Sequence, residues 1–205
     1  MAKLGSDNLN LIKKLYYQDC HSVRQIALVL GVSLDVVYHF MRQHQLKRRT
    51  TIESNKLIYD RKPATYVLKS HLSKSEEKLK NIGITLYWGE GFKASTANLV
   101  DLANSDVQMV KVFLRFLREI CGIKEDRLRI YLYCYANQKP LDLIKFWSKI
   151  CQVSLRQFSQ PYIRQDYQEG KKSKMPHGMI HIRYGDKKLL KQILTWIEDY
   201  KKEFA

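Results

Sequence analysis

Residues 82–91 read Ile82-Gly83-Ile84-Thr85-Leu86-Tyr87-Trp88-Gly89-Glu90-Gly91. The run is apolar, carries small residues along one side, and stops abruptly at Gly89-Glu90-Gly91. A carboxylate is thereby held between two glycines at the tip of a hydrophobic helix. A charge placed there is costly unless something uses it.

The flanking segments build a sheet domain around this helix. Ser73-Lys74-Ser75-Glu76 has the spacing of a capping box, so the helix is predicted from Ser73 to about Gly89. Phe92–Ser95 and Leu99–Leu102 read as a hairpin around Thr96-Ala97-Asn98. Ser105-Asp106 caps a periodic helix to Cys121, with Val107, Val110, Phe113, Leu114, Leu117 and Ile120 on one side, and Gly122 ends it. Residues 127–135 are the clearest strand. Leu128, Ile130, Leu132 and Cys134 point one way, while Arg127, Arg129, Tyr131, Tyr133 and Tyr135 point the other. The alternation recurs from His177 to Tyr184. Ile180, Ile182 and Tyr184 face inward, and His177, Met179, His181 and Arg183 face outward. This is the pattern of a half-covered antiparallel sheet whose open face is basic and aromatic. Between the strands lies an insertion, with a helix from Pro140 to Val153 and a basic loop to Pro176 that includes Lys171 and Lys172. Two readings of that loop stand: it folds onto a polyanion, or it is simply solvated. An amphipathic helix, Asp186 to Lys201, closes the chain.

The N-terminal part has a different rhythm. Residues 8–19 place Leu9, Ile12, Leu15 and Tyr16 on one helical side. Ser22 caps a second helix, Val23 to Leu30, Gly31 turns the chain, and Ser33 caps a third, Leu34 to Gln43. Ala27 sits where two helices cross closely, and Gly31 is expected at positive φ. Val37 and Phe40 are expected to pack on Ile26, Leu30 and Val32, leaving Asp35, Val36, Tyr38, His39, Arg42 and Gln43 outward. This segment resembles the helix-turn-helix of resolvases and small bacterial repressors. The resemblance implies that the third helix enters a DNA major groove, with Tyr38, His39, Arg42 and Gln43 near base edges and Arg48 and Arg49 on phosphates. Residues 1–46 are read as this domain and 47–72 as a basic, largely extended linker, with a possible short helix over 51–60. The linker either tracks phosphates or is a solvated connector.

Composition bounds what such a protein does. With 36 basic and 20 acidic residues, the net charge is +16 on 205 residues. Of these, 12 basic and 5 acidic residues precede position 73, so both parts are basic. Such a surface concentrates polyanions, and a lone acid presented by it suggests a metal held against a phosphate backbone. No apolar run reaches the length of a membrane span and no signal-peptide core is visible, so a cytoplasmic protein without a membrane partner is expected. Cys20, Cys121, Cys134 and Cys151 are widely spaced, which favours reduced, mostly buried thiols over a zinc site.

The element order over residues 73–205 and the Gly-Glu-Gly helix end resemble the LAGLIDADG homing endonucleases. The resemblance implies an α+β chain in which the helix-turn-helix precedes an αββαββα domain with an antiparallel sheet. It implies that Thr85, Gly89, Leu86 and Ile82 lie at a seam between two motif helices. It places Glu90, with the Gly89 carbonyl, on Mg²⁺ or another divalent cation, and Lys93 beside the scissile phosphate. The sheet face, through Lys93, Ser95, Arg127, Arg129, Tyr131, Tyr133, His181, Arg183 and the loop lysines Lys171 and Lys172, would lie on double-stranded DNA. Only one good copy of the motif is present, so the active species is expected to be a homodimer on a near-palindromic site. Thr85 stands where the family often has glycine, which implies a slightly wider seam. Relatives of this family also include non-cleaving bacterial sporulation regulators and RNA-splicing maturases, so a transcriptional regulator and an RNA-binding protein are the competing expectations.

Overall fold

A computed structural model describes residues 4–165 and 175–204. The chain divides into two compact units, residues 1–63 and 64–205, and each is described by itself.

In the first unit, α1 (Asn8–Lys13) widens into a π-helical turn, Lys14–Gln18. Helices α2 (Val23–Leu30) and α3 (Leu34–Gln43) begin at Ser22 and Ser33, whose hydroxyls accept from the amides of Gln25 and Val36. Gly31 ends α2 at φ +64°, a conformation that glycine adopts without the steric cost of a Cβ. The axes bend by 108° across this turn. The core is Ile12, Tyr16, Val23, Ile26, Ala27, Val37, Phe40 and Met41, which includes the expected contact of α3 on α2. A fourth helix, α4 (Thr51–Arg61), is capped by Thr50 and Glu53 and buries no residue. No single described helix is long and apolar enough to cross a membrane.

The stretch expected to be a linker is therefore divided between the two units. Residues up to Pro63 belong with α4. From Ala64 on, the backbone is bound into the second unit: Val67 N donates to Gly122 O at 3.1 Å and Lys69 N to Ile120 O at 3.0 Å. Thr65 donates from its amide and hydroxyl to the Asp186 carboxylate. The sequence pattern hid this because an isolated backbone rung carries no side-chain periodicity.

The second unit is α+β. Its elements are α5 (Lys74–Glu90), β1 (Val100–Asn104), α6 (Val107–Arg115) with a π-helical turn Phe116–Ile120, β2 (Leu128–Tyr135), α7 (Pro140–Cys151), β3 (Tyr162–Arg164), β4 (Met179–Tyr184) and α8 (Lys187–Phe204). The four strands are ordered β1-β4-β2-β3. β4 is antiparallel to β1 and β2, and β3 is parallel to β2. One continuous core joins Leu102, Ile130, Leu132, Ile180, Ile182 and Tyr184 of the sheet to Ile84, Tyr87, Phe113, Trp147, Ile193 and other residues of the helices. Inward and outward residues on β2 and β4 fall as the alternation predicts, except that Tyr135 is buried.

The expected antiparallel sheet is mixed instead, for two reasons. Phe92–Ser95 is not a strand: the hairpin reduces to one bridge between Gly91 and Leu102, with Phe92 N donating to Asp101 O at 2.8 Å. A fourth strand comes from the insertion, where Tyr162–Arg164 pairs with Tyr133–Tyr135. Three residues are too few for a readable alternation.

Close approach in α5 falls at Gly83. A Cβ there would lie 2.2 Å from the Phe116 ring, whereas one at Gly89 would meet nothing within 4 Å. Gly83→Ala is therefore expected to lower stability by about 1–3 kcal/mol in urea unfolding. Gly89→Ala is expected to be neutral or to add up to about 1 kcal/mol through helix propensity.

Candidate nucleic-acid interface

The end of α5 is fixed by Tyr87. Its ring is fully buried, its hydroxyl donates to Phe92 O at 2.9 Å, and burial pushes its phenol up to about 12. Gly91, buried and extended, follows directly. A Cβ there would lie 2.5 Å from Tyr87 O, so only glycine fits. Glu90, between this anchored turn and the open Gly89, is exposed. It lines a cleft of about 390 Å³ with Gly91, Phe92, Asp101, Ala103, His181 and Arg183.

Lys93 is placed differently from expectation. Its ammonium bonds Gly91 O at 2.6 Å and approaches Tyr87 O at 3.4 Å, so it neutralises the negative end of α5. It acts here on the helix end, not on the cleft.

The cleft opens onto the outer face of the sheet. Register sets Asp101 of β1 against Arg183 of β4, and Arg183 against Arg129 of β2. One step along, Ala103, His181 and Tyr131 are aligned. Asp101 is buried, accepting from Arg183 Nε at 2.7 Å while its other oxygen lies 2.8 Å from His181 Nδ1. The Arg183 guanidinium stacks 4.1 Å from the Tyr131 ring centroid, and Tyr133 lies against His181 and Tyr162, at 4.6 and 5.1 Å between centroids. The Tyr131 phenol is drawn below its ordinary value, first by a hydrogen bond from Ser159 and then, against a smaller effect of burial, by Arg183 and Arg129.

Asp101 was given no role in the sequence reading. The triplet Val100-Asp101-Leu102 held the signal, because alternation places a carboxylate alone on the outward face between two core residues. Of the expected DNA-facing residues, the sheet brings together Arg127, Arg129, Tyr131, Tyr133, His181 and Arg183. Ser95 is exposed in the turn after α5, and Lys171 and Lys172 lie outside the described residues. His177 is not paired with His181: its ring stacks on Phe146 at 3.9 Å.

The seam residues expected along α5 lie on its surface. Ile82 is 51% exposed, Thr85 and Gly89 are exposed, and Leu86 is half-buried against the core. The Thr85 hydroxyl donates to Asn81 O at 2.8 Å, which satisfies its polar atom within the helix and leaves its methyl outward.

In the first unit, Asp35, Tyr38, His39, Arg42 and Arg48 line one concavity on the outer side of α3, and Gln43 is exposed on the same helix. Arg48 stacks on Tyr38, 4.5 Å from the ring centroid. Arg49 is turned inward instead. It lies over the Tyr16 ring at 4.0 Å, donates to the carbonyls of Tyr16 and His21, and its amide donates to the Tyr16 hydroxyl. In this structure it holds the segment after α3 on the helices.

The metal-binding capacity of one chain is partial. Glu90 and the carbonyls ending α5 are hard oxygen donors of the kind Mg²⁺ prefers, but they are fewer than its six positions. Among the described residues no three His, Cys, Asp or Glu side chains cluster to complete a site. Burial pushes the thiols of Cys121, Cys134 and Cys151 up, Cys151 to about 12, which disfavours their thiolates.

Comparison of the chain with protein-family models, curated proteins and solved structures found no match.

Two measurements test this geometry. Asp101→Ala strands a half-buried guanidinium beside a second arginine and is expected to cost roughly 1–3 kcal/mol in denaturant unfolding. In a spectrophotometric alkaline titration, one phenol should ionise ahead of the ordinary tyrosine value of 10. Tyr131→Phe should remove that early phase. A depressed phenol adds ionic stabilisation only at alkaline pH, so at pH 7 Tyr131→Phe should cost no more than its exposed hydrogen bond with Ser159, about 1 kcal/mol or less.

Proposed function

We propose that the chain is a sequence-specific, divalent-metal-dependent DNA endonuclease that acts as a homodimer on a near-palindromic duplex site. The observation that carries this reading is the exposed Glu90 at the rim of a cleft floored by Asp101, Ala103, His181 and Arg183, on the sheet face that also carries Arg129 and Tyr131. A free carboxylate beside a polyanion-binding face has a use if a cation lies between the two.

In this reading the helix-turn-helix formed by α2 and α3 reads the major groove through Tyr38, His39, Arg42 and Gln43. Arg48 reaches a phosphate. On the second unit, Arg127, Arg129 and Arg183 contact the backbone, while Tyr131, Tyr133 and His181 contact sugar and base edges. Ile82, Thr85, Leu86 and Gly89 follow the i, i+3, i+4, i+7 spacing of one helix face, and they form the two-fold seam with a second α5. That seam brings two Glu90 carboxylates together, which supplies the donors that one chain lacks. Glu90 and the Gly89 carbonyl would hold Mg²⁺. When bound, the ion supplies Lewis acidity at the scissile phosphate and a more acidic water. Asp101 keeps Arg183 and His181 at the cleft.

One observation favours a second reading, a DNA-binding transcriptional regulator that does not cut. The only other carboxylate lining the cleft, Asp101, is already engaged by Arg183 and His181.

The deciding experiment incubates the protein with a library of duplex DNA, with and without Mg²⁺, beside Glu90→Gln. Mg²⁺-dependent cleavage that falls by on the order of 10²-fold or more in Glu90→Gln is expected. Sedimentation should show a dimer that Ile82→Glu disrupts. Tight, sequence-selective binding with no cleavage by the unmodified chain would establish the regulator instead.

A further inference from the structure

Cross-strand register creates a charge problem between the two inner strands of the sheet. Arg183 of β4 and Arg129 of β2 are directly opposed on the outward face, and like charges in that relation are destabilising. Arg127, in the turn before β2, joins them. The three, with Leu99, Tyr131 and Gly185, line a pocket of about 280 Å³ that has no carboxylate in its wall among the described residues. Asp101 holds Arg183 from the β1 side, but it is shared with His181 and does not line this pocket.

The guanidiniums are fixed by the fold. Arg129 Nη1 donates to the carbonyls of Asp126 and Leu128 at 2.6 and 2.8 Å, Arg127 Nη2 donates to Gly185 O at 2.7 Å, and Arg183 Nε donates to Asp101. These anchors use a minority of the N–H groups a guanidinium carries. Neutral carbonyls orient Arg127 and Arg129 without cancelling their charge. Arg127 Nε has no hydrogen-bond partner among the described residues. A rigid cluster of three arginines around a small concavity is complementary to a tetrahedral oxyanion, which accepts bidentate bonds from such forks.

We propose that the pocket bounded by Arg127, Arg129 and Arg183 is a seat for a single phosphate group, taken either from the backbone of a bound nucleic acid or as free phosphate. Seating one phosphate relieves the repulsion between Arg129 and Arg183. It also sets the register of a polyanion on the sheet, because the three fixed guanidiniums mark one position along the backbone. The assignment rests on the DNA-binding half of the proposed function when the phosphate is a diester, and it does not depend on cleavage.

The test titrates the full chain calorimetrically with inorganic phosphate at constant ionic strength, and then with a short DNA duplex over a range of salt. Arg129→Gln and Arg127→Gln are each expected to weaken phosphate at least tenfold. Arg129→Lys should recover only part of that loss, because an ammonium lacks the planar fork. If the duplex also loses about one unit of salt dependence in Arg129→Gln, the seated group is a backbone phosphate. If phosphate weakens while the duplex is unaffected, the seat takes free phosphate. Undetectable phosphate binding by the unmodified chain, or phosphate affinity unchanged in both glutamine variants, overturns the proposal. Circular dichroism and urea midpoints confirm that the variants fold. A chain that binds phosphate but cuts no DNA would sink the endonuclease reading and leave this one standing.

Discussion

The second unit is organised around one buried hydroxyl. Tyr87 ends α5 by packing its ring against Phe113 and donating to Phe92 O, and the Asp101 amide lies 3.5 Å from the same oxygen. A helix, a turn and the first strand are thus referenced to a single atom in the core. The positions of Gly91, Glu90 and Asp101 follow from it. A buried phenol must find partners or forfeit its desolvation cost, and satisfying Tyr87 obliges the chain to leave the helix where it does. The exposed carboxylate is therefore placed by a core residue three positions earlier, and its own chemistry plays no part in putting it there.

Much of this was legible in the sequence, and the parts that were not have a common character. Capping residues Ser22, Ser33 and Ser73 mark helix starts by local chemistry, and β2 and β4 show their faces by period-two alternation. The expected contact of Val37 and Phe40 on Ile26 is present. What the sequence concealed depends on partners distant in the chain. The three residues of β3 become a strand only because β2 offers an edge. Residues 64–69 join the second unit through backbone bonds to Ile120 and Gly122. Of the two glycines within α5, Gly83 is the one against an aromatic ring, because Phe116 arrives from a π-widened turn that periodicity cannot foresee.

The candidate site divides in the same way. Residue types on the open sheet face follow from alternation. Which of them cooperate follows from register, and it was register that revealed Asp101 as the shared acceptor of Arg183 and His181. Lys93 and Arg49 show the converse. Arg49 follows two basic residues and Lys93 follows the motif acid, so each invites a phosphate, and each instead binds backbone carbonyls, one at a helix end and one behind α3.

The inward-turned arginine of the first unit has a consequence for how the molecule meets an ionic solution. Arg49 lies on carbonyls and a ring, Lys93 caps a helix, and Lys69, Arg115 and Arg118 are paired with Glu76, Glu119 and Glu125. The three ion pairs already cancel within the formal excess of +16, whereas Arg49 and Lys93, held by neutral carbonyls, keep their charge but not their freedom to reach a phosphate. The net charge is thus that of the composition, while the cations free to replace the counterions of a polyelectrolyte are fewer than the 36 basic residues.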